Sequence, residues 1–272
     1  MQDVGASSLL GDYYAHHETA LSIIADTALA VPRLLAAVEE RMTDSIRSQA
    51  DQRMQQLEPR HTEQRRTWQA QAAEQWDDIP ISVPRLTMEL WELINDDEWV
   101  LVSGGFKGWT HKLWKIDSYE QYFGGYSGGA GVGYGIGAAI GGALAYRHSQ
   151  QIPINLQDDG DLMQFLSGLW TIGHYDIPLF TVIHNNRCLY NSTQHRMRVA
   201  NYRDRDDSFE QALLGTGIQD PVPDYASIAE AQGVTGYGPV EDPNALSRVL
   251  NQAWEKVKEG QPVLVDVITQ PR

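Results

Sequence analysis

The sequence predicts a doubly wound α/β domain, in which helices cover both faces of a mostly parallel sheet, preceded by a helical N-terminal extension. From about residue 80 onward, short apolar runs alternate with stretches of helical periodicity. The apolar runs are continuous, as expected for parallel strands that are buried on both faces. Two of them end at Asp-Gly or Asn-Asn pairs, and ligands in such folds bind beyond the carboxyl ends of strands.

The extension comprises residues 1–78 and contains no clear strand pattern. Residues 1–16 lack periodicity and indicate an extended tail. After Pro32, apolar residues at helical spacing predict a helix: Leu34, Leu35, Val38 and Met42. Residues 43–78 are dominated by Arg, Gln, Glu and Asp. They predict either a solvated helical arm that breaks near Pro59 or a disordered segment.

The strands of the domain at residues 79–272 are short apolar runs that end at glycine or at polar turn residues. They are predicted at 99–102, 152–156, 179–183 and 263–268, with a short strand from Val234. Helices are predicted from Val83, over 128–142, 162–172 and 225–231, and from Asp242 to about Lys258. A glycine-rich turn opens the second of these helices. Residues 187–223 lack a periodic pattern and are predicted to be irregular.

Composition excludes several classes of protein. The formal net charge of −15 argues against a nucleic-acid surface, because phosphates require a basic face. The single cysteine, Cys188, excludes an intrachain disulfide and a multi-cysteine metal site, and it suits a reducing cytoplasm. The longest apolar stretch, 128–146, has too few large side chains to predict a membrane span. No N-terminal signal peptide is evident.

A candidate metal site follows from two strand ends. Asp159 and Asn186 lie 27 residues apart, each after a predicted strand. A right-handed strand–helix–strand crossover of this length returns the chain beside itself, so the two side chains can meet at one sheet edge. Carboxylate, amide and carbonyl oxygens suit Mg²⁺ shared with a phosphate. Gly160 would let the backbone approach that phosphate. The alternative is that Asp-Gly and Asn-Asn only close turns.

The segment DDGDLMQFLSGLWTIGHYDIPLFTVIHNN resembles the diphosphate-binding domain of thiamine diphosphate enzymes of the acetolactate synthase, pyruvate decarboxylase and benzoylformate decarboxylase group. The resemblance extends upstream to GGAGVGYGIGAAIGGALA and downstream to PDYASIAEAQGV and PVLVDVI, over roughly residues 80–272. It implies that Asp159 binds Mg²⁺ and that Gly160 and Asp161 face the diphosphate. Asn186 would be the second protein ligand, and the carbonyl of Cys188 the third.

The same resemblance implies that Val132 supports the bent cofactor and that the backbone near Ala130 and Val132 bonds its aminopyrimidine ring, with Gly133 in the same turn. Two positions depart from the family. Asp158 replaces the first glycine of the motif, so its side chain must point away from the diphosphate or form a local hydrogen bond. Cys188 stands where glycine is frequent.

Other motifs carry weaker hypotheses. Gly133-x-Gly135-x-x-Ala138 also fits a dinucleotide fingerprint, which would make the chain an NAD-dependent oxidoreductase. His111 is a weak catalytic candidate, because it lies in a strand-end loop. Four arginines interleave with acids after the Asn-Asn pair, and they predict a solvated loop, a lid or a clamp for an anionic substrate: Arg196, Arg198, Arg203 and Arg205.

The resemblance implies an enzyme that needs thiamine diphosphate and Mg²⁺. It would cleave or form a C–C bond next to a carbonyl of a 2-oxo acid or ketone, as a decarboxylase, carboligase or lyase. The family's catalytic glutamate belongs to a pyrimidine-binding domain, and residues 1–42 resemble only the end of the family's middle domain. Because the chain begins with Met1, we expect a separate partner subunit, in a hetero-oligomer with at least two copies of each chain. A non-catalytic cofactor-binding or regulatory subunit is the alternative.

Overall fold

Five parallel strands form one sheet in the described part of the chain, and their order is β1-β2-β3-β5-β4. The computed structural model describes residues 20–104, 106–123 and 133–271. The strands are β1 (Trp99–Ser103), β2 (Ile152–Asp158), β3 (Phe180–Asn185), β4 (Thr235–Val240) and β5 (Val263–Ile268). All four strand pairs are parallel. The predicted α/β fold is therefore confirmed, and all five strands lie where the apolar runs predict them.

Helices connect these strands and precede them. They are α1 (Thr27–Glu40), α2 (Asp44–Ala73), α3 (Val83–Ile94), α4 (Trp109–Leu113), α5 (Tyr134–Ala145), α6 (Asp159–Met163), α7 (Ser167–His174), α8 (Tyr190–Tyr202), α9 (Phe209–Leu213), α10 (Tyr225–Ala231) and α11 (Pro243–Lys258). Short 3₁₀ turns cover Phe106–Gly108 and Tyr119–Gln121. The chain divides into two compact units, Met1–Glu63 and Gln64–Arg272.

Each face of the sheet carries its own hydrophobic core. One core joins α3 and α11 to the sheet, and the other joins α5, α7 and α10 to it. Neighbouring residues of β1 pack into different cores: Leu101 belongs to the first core, and Val100 and Val102 belong to the second. Successive strand residues point to opposite faces, which explains why β1 is buried at every position.

The carboxyl ends of β2 and β3 lie side by side. Asp158 pairs with His184 in the parallel register, so the next residues of the two strands, Asp159 and Asn185, follow at the same edge. The N–H of Thr269 donates to the carbonyl of Asn185 (3.0 Å) and extends the β3–β5 pairing by one residue. The expected juxtaposition of the two strand ends is therefore present.

The structure corrects three local predictions. Pro59 lies inside α2, which continues past it to Ala73. A proline removes one backbone donor and kinks a helix, and it does not have to end it. Pro32 lies inside α1, because Asp26 caps the helix upstream through its side chain and α1 begins at Thr27. The supposedly irregular residues 187–223 contain α8 and α9.

Two further predictions concern other parts of the chain. Residues 1–19 and 124–132 lie outside the described residues, and so do the predicted N-terminal tail and most of the glycine-rich turn. The predicted domain boundary at residues 78 and 79 stays a prediction, although the compact units divide at residues 63 and 64. None of the described helices is both long enough and apolar enough to cross a membrane.

Candidate functional site

Asp159 is a buried carboxylate at the carboxyl end of β2. Its side chain is almost fully buried, and its Oδ1 accepts a hydrogen bond from the N–H of Gly160 (2.8 Å). Its Oδ2 is also buried and has no hydrogen-bond partner among the described residues. Burial raises the pKa of Asp159 to about 7, against the lowering effects of His184 and the N–H of Gly160. A buried acceptor without a partner costs free energy until a donor or a cation binds it.

Asp161 has a different role, because both of its oxygens are already bonded. Oδ1 accepts from the N–H of Gly133 (2.7 Å), and Oδ2 accepts from the N–H of Gly135 (2.8 Å) and from Nε2 of Gln157 (2.7 Å). The carboxylate therefore binds the start of the small-residue helix α5. A Cβ atom on Gly135 would lie 2.5 Å from Oδ2, so a larger residue there would displace the Asp161 carboxylate.

This arrangement bears on two predictions. The carboxylate of Asp161 occupies the N–H groups of Gly133 and Gly135, which a dinucleotide fingerprint would offer to a pyrophosphate. That disfavours the nicotinamide alternative. A contact between the diphosphate and Asp161 or Gly133 stays a prediction. Ala130 and Val132, the other expected cofactor contacts, lie outside the described residues.

The loop after β3 covers Gly160 from the other side. A Cβ atom on Gly160 would collide with the side chain of Leu189. The hydroxyl of Tyr225 donates to the carbonyl of Asp159 (3.3 Å), and the N–H of Leu189 donates to the carbonyl of Thr216 (2.8 Å). Gly160 therefore leaves room for the Leu189 side chain beside the buried carboxylate.

Asn185 is a structural residue at the end of β3. Its Nδ2 donates to Oδ1 of Asp266 (3.0 Å) on the neighbouring strand β5. Asp266 is fully buried, and burial raises its pKa to about 6, although the hydrogen bond from Asn185 lowers it. Sequence reasoning missed Asp266. The sequence does contain a signal, because Asp266 is an acid inside the otherwise apolar run Val263–Ile268. Acids are rarely buried without a partner, so this position predicts a polar partner nearby.

Asn186 shapes the following turn. Its Oδ1 accepts from the N–H of Cys188 (3.0 Å) and from the thiol of Cys188 (3.3 Å). Arg187 between them has a φ of 59°, in the left-handed region. The left-handed residue is thus Arg187, so Cys188 needs no glycine-like conformation at the position where the family often has glycine.

Cys188 is a packing residue in this structure. Its side chain is buried, and burial together with the negative charge of Asp159 raises the pKa of its thiol to about 12. Such a thiol stays protonated and is not an activated nucleophile.

Asp158, the second departure from the family pattern, bonds locally. Its Oδ1 lies 3.4 Å from Nδ1 of the buried His184, and its side chain is 34% exposed. The ring of Phe106 lies 5.9 Å from the His184 ring, centroid to centroid. The extra carboxylate therefore faces a histidine on the adjacent strand, one of the two arrangements that the sequence allows.

His111 lies on α4, with its side chain exposed and its ring 5.2 Å from that of Tyr122. Its catalytic role stays a prediction. Among the described residues, no group of three or more His, Cys, Asp and Glu side chains forms a metal cluster. Oδ2 of Asp159 is available to a cation, and carboxylate, amide and carbonyl oxygens are the donor types that suit Mg²⁺. Oδ1 of Asn186 already accepts from Cys188, and the carbonyl of Cys188 accepts from the N–H of Tyr190 (2.9 Å), so the metal-ligand roles of both residues stay predictions.

Comparison with known proteins covers the part of the chain that contains this site. The family model for the C-terminal TPP-binding domain of thiamine pyrophosphate enzymes matches residues 103–267. The match includes both strand ends. No curated protein sequence matches the chain.

Two solved structures share the fold. The thiamine diphosphate-dependent 4-hydroxybenzoylformate decarboxylase of Rhodococcus jostii RHA1 is 21% identical, with a TM-score of 0.57 over 70% of this chain and 33% of its own. The benzoylformate decarboxylase of Polynucleobacter necessarius is 18% identical, with a TM-score of 0.56 over 71% of this chain and 34% of its own. The chain thus spans about a third of the length of these proteins. It belongs to the thiamine pyrophosphate enzyme family, whose C-terminal TPP-binding domain it contains.

Proposed function

We propose that this chain holds the diphosphate end of thiamine diphosphate through Mg²⁺, in an enzyme that cleaves or forms a C–C bond next to a carbonyl. One observation carries the proposal: Oδ2 of Asp159 is buried without a partner at the carboxyl end of β2, within the family's matched domain. Mg²⁺ would neutralise the negative charge of the Asp159 carboxylate. Asn186 and the carbonyl of Cys188 would complete the protein ligands.

The bound cofactor supplies an electron sink for the carbanion that C–C cleavage leaves behind. The chain's own residues position it. Asp159 and Asn186 orient the metal, and Gly160 lets the backbone approach a phosphate. Asp161 holds Gly133 and Gly135 at the start of α5, which fixes the chain that leaves the glycine-rich turn.

The substrate we propose is a 2-oxo acid or a related ketone. Both structural neighbours are named as decarboxylases of benzoylformate or its 4-hydroxy derivative. This favours decarboxylation over carboligation or another lyase reaction for the present chain. The single buried cysteine is compatible with a reducing cytoplasm, which we propose as its location.

We further propose that a partner subunit supplies the pyrimidine-binding domain and the glutamate that activates the cofactor, in a hetero-oligomer. The first unit supports an interface, because the segment before α1 exposes large apolar side chains. Leu21, Ile23 and Ile24 are 74%, 73% and 70% exposed. On α1 the exposed set continues with Leu29, Val31, Leu34, Leu35 and Val38. A contiguous apolar surface of this kind marks an interaction site in a native protein.

Calorimetric titration of the full chain with thiamine diphosphate tests the cofactor assignment. We expect saturable binding with Mg²⁺, and its loss when EDTA removes the metal. NAD serves as the comparison ligand and should give no binding heat. Equal thiamine diphosphate binding with and without Mg²⁺ would refute the metal site, and tight NAD binding would favour the nicotinamide alternative.

Reconstitution tests the partner proposal. The chain is co-expressed with a chain of the same family that carries the pyrimidine-binding domain, and turnover of a 2-oxo acid is measured. We expect turnover only with both chains. Leu34→Ser with Leu35→Ser should reduce co-purification, whereas Leu57→Ser, at an exposed leucine on α2, should not. Full turnover by the chain alone would contradict the proposal.

A further inference from the structure

Two adjoining cavities lie along the second half of α8. The first has a volume of about 320 Å³ and is lined by His195, Arg196, Val199, Ala200, Arg203 and Arg205. The second, of about 370 Å³, shares Arg196, Ala200 and Arg205 with it. Each volume falls in the lower range of small-molecule sites. Asp206 and Asp207 also line the second cavity, whereas three arginines and no acid line the first. The first cavity is therefore a local positive centre in a chain whose net charge is −15.

The acids beside these arginines are bonded to neutral groups. Asp206 accepts from the N–H of Ser208 (2.9 Å), and its hydrogen bonds with Ser208 lower its pKa. Asp207 accepts from Nδ2 of Asn201 (3.0 Å). Within the ranges that the structure describes, no carboxylate oxygen lies within 4.0 Å of a guanidinium nitrogen of the three arginines. Their charge is therefore available to a ligand.

Backbone bonds hold the arginines in place. Nη1 of Arg196 donates to the carbonyls of Ala212 (3.1 Å) and Leu214, so α9 fixes its guanidinium while Nε and Nη2 stay available. The N–H of Arg203 donates to the carbonyl of Ala200 (3.0 Å), and so does that of Arg205 (2.9 Å). The arginine backbones are thus fixed before a ligand binds, which lowers the entropy cost of binding.

We propose that this cationic cavity binds a small anionic ligand with two or more negative charges, carried on phosphate or carboxylate groups. Arginine suits both, because its planar fork donates two parallel hydrogen bonds to either. Val199 and Ala200 provide an apolar floor for the rest of the ligand.

This site is additional to the proposed cofactor site. Arg196 and Arg203 lie about 9 Å and 20 Å along the α8 axis from Tyr190, the helix's first residue. The loop that contains Asn186 lies before that residue. None of the cavity residues belongs to the proposed metal ligands. Binding of an anion in this cavity therefore does not depend on the function proposed above.

Titration of the full chain without Mg²⁺ or thiamine diphosphate tests the proposal, with inorganic phosphate and succinate as separate probes at fixed ionic strength. We expect one of them to bind with a dissociation constant of about 1 mM or lower. Tighter binding of phosphate would indicate a phosphorylated ligand, and tighter binding of succinate a dicarboxylate. Loss of one charge-assisted bond predicts about tenfold weaker binding by Arg203→Gln and by Arg205→Gln.

Arg198→Gln is the matched control, because Arg198 lies on the same helix, is exposed, and lines neither cavity. It removes the same charge and should leave binding within about twofold of the unchanged chain. Absence of binding by both probes would overturn the proposal. Equal weakening by Arg198→Gln would also overturn it, since attraction would then depend on overall charge and not on the cavity.

Discussion

The ends of β2 and β3 differ in what they leave unsatisfied. At the end of β2, Asp159 buries a carboxylate with one oxygen bonded and the other without a partner among the described residues. At the end of β3, the side-chain oxygen of Asn186 accepts from Cys188, and Asn185 donates to Asp266. Of the two pairs, only Asp159-Gly160 contains a side-chain oxygen that is buried without a partner among the described residues. On the β3 side, Oδ2 of Asp266, whose Oδ1 accepts from Asn185, is another such oxygen.

The difference assigns ligand binding to the end of β2 and structural support to the end of β3. A buried carboxylate oxygen without a partner is destabilising until a donor or a cation binds it, and Asp159 lies at the strand end, where ligands bind in such folds. The amides after β3 hold the loop in shape whether or not a ligand is present. We therefore expect Asp159 to dominate metal affinity. Asn185 and Asn186 should contribute more to the stability and shape of their own loop.

Asp159→Asn is expected to have the largest effect. The substitution keeps the acceptor for the N–H of Gly160 and removes the charge that faces the cation. Removing one partner of a buried ion pair costs about 4 kcal/mol, so Mg²⁺-dependent binding of thiamine diphosphate should weaken about a thousandfold. Isothermal titration calorimetry measures this loss, and circular dichroism checks that the variant is folded.

Asp158→Asn is the matched control for that substitution. It removes the neighbouring carboxylate, which is partly exposed and faces His184. We expect binding to change by less than about tenfold, because a partly exposed charge interacts weakly with its surroundings. Equal loss of binding in the two variants would contradict the assignment of the metal to Asp159 and not to Asp158.

Asp266→Asn tests the scaffold on the β3 side. Burial raises the pKa of Asp266 to about 6, above its ordinary value of 3.8. The native chain therefore loses stability as the pH rises from about 4 to above 6, when this buried group must ionise. The asparagine variant lacks that loss and should be more stable by up to about 3 kcal/mol at pH 8.

The measurement is urea unfolding at pH 4 and at pH 8. The advantage of Asp266→Asn should shrink towards pH 4, where the native carboxyl is protonated. Asp117→Asn, at an exposed ion pair with Lys115, should change stability by less than about 0.5 kcal/mol at both pH values. A variant less stable at pH 8 than the native chain would show that Asp266 contributes as an ionised group.

Much of this fold follows from the sequence because runs of apolar residues mark the buried parallel strands. The pattern places all five strands, and it places α10 at Tyr225–Ala231, as the structure has it. It also brings Asp159 and the Asn-Asn pair to one edge. The pattern fails at α8, where only Thr193 is buried, because a helix without an apolar face has no periodicity to detect.

The roles of individual polar side chains could not be predicted in the same way. Asp161 belongs to the motif expected at the diphosphate, yet its oxygens bond Gly133, Gly135 and Gln157. The bonds to Gly133 and Gly135 span 28 and 26 positions of the sequence, and only the fold brings these residues together. The cofactor contacts expected of Ala130 and Val132 stay predictions.

Asn186→Ala should have the smallest effect of the three substitutions. It removes the acceptor that bonds the N–H of Cys188 and its thiol, which costs about 1 kcal/mol of unfolding free energy. Because an amide oxygen is a neutral ligand, Mg²⁺-dependent binding should weaken about tenfold, far less than in Asp159→Asn.

Asn186→Asp keeps an acceptor oxygen in the same place and should restore both the turn and the binding. If Asn186→Ala weakened binding as much as Asp159→Asn while the aspartate variant restored it, Asn186 would be an equal metal ligand, and the contrast between the two strand ends would have to be abandoned.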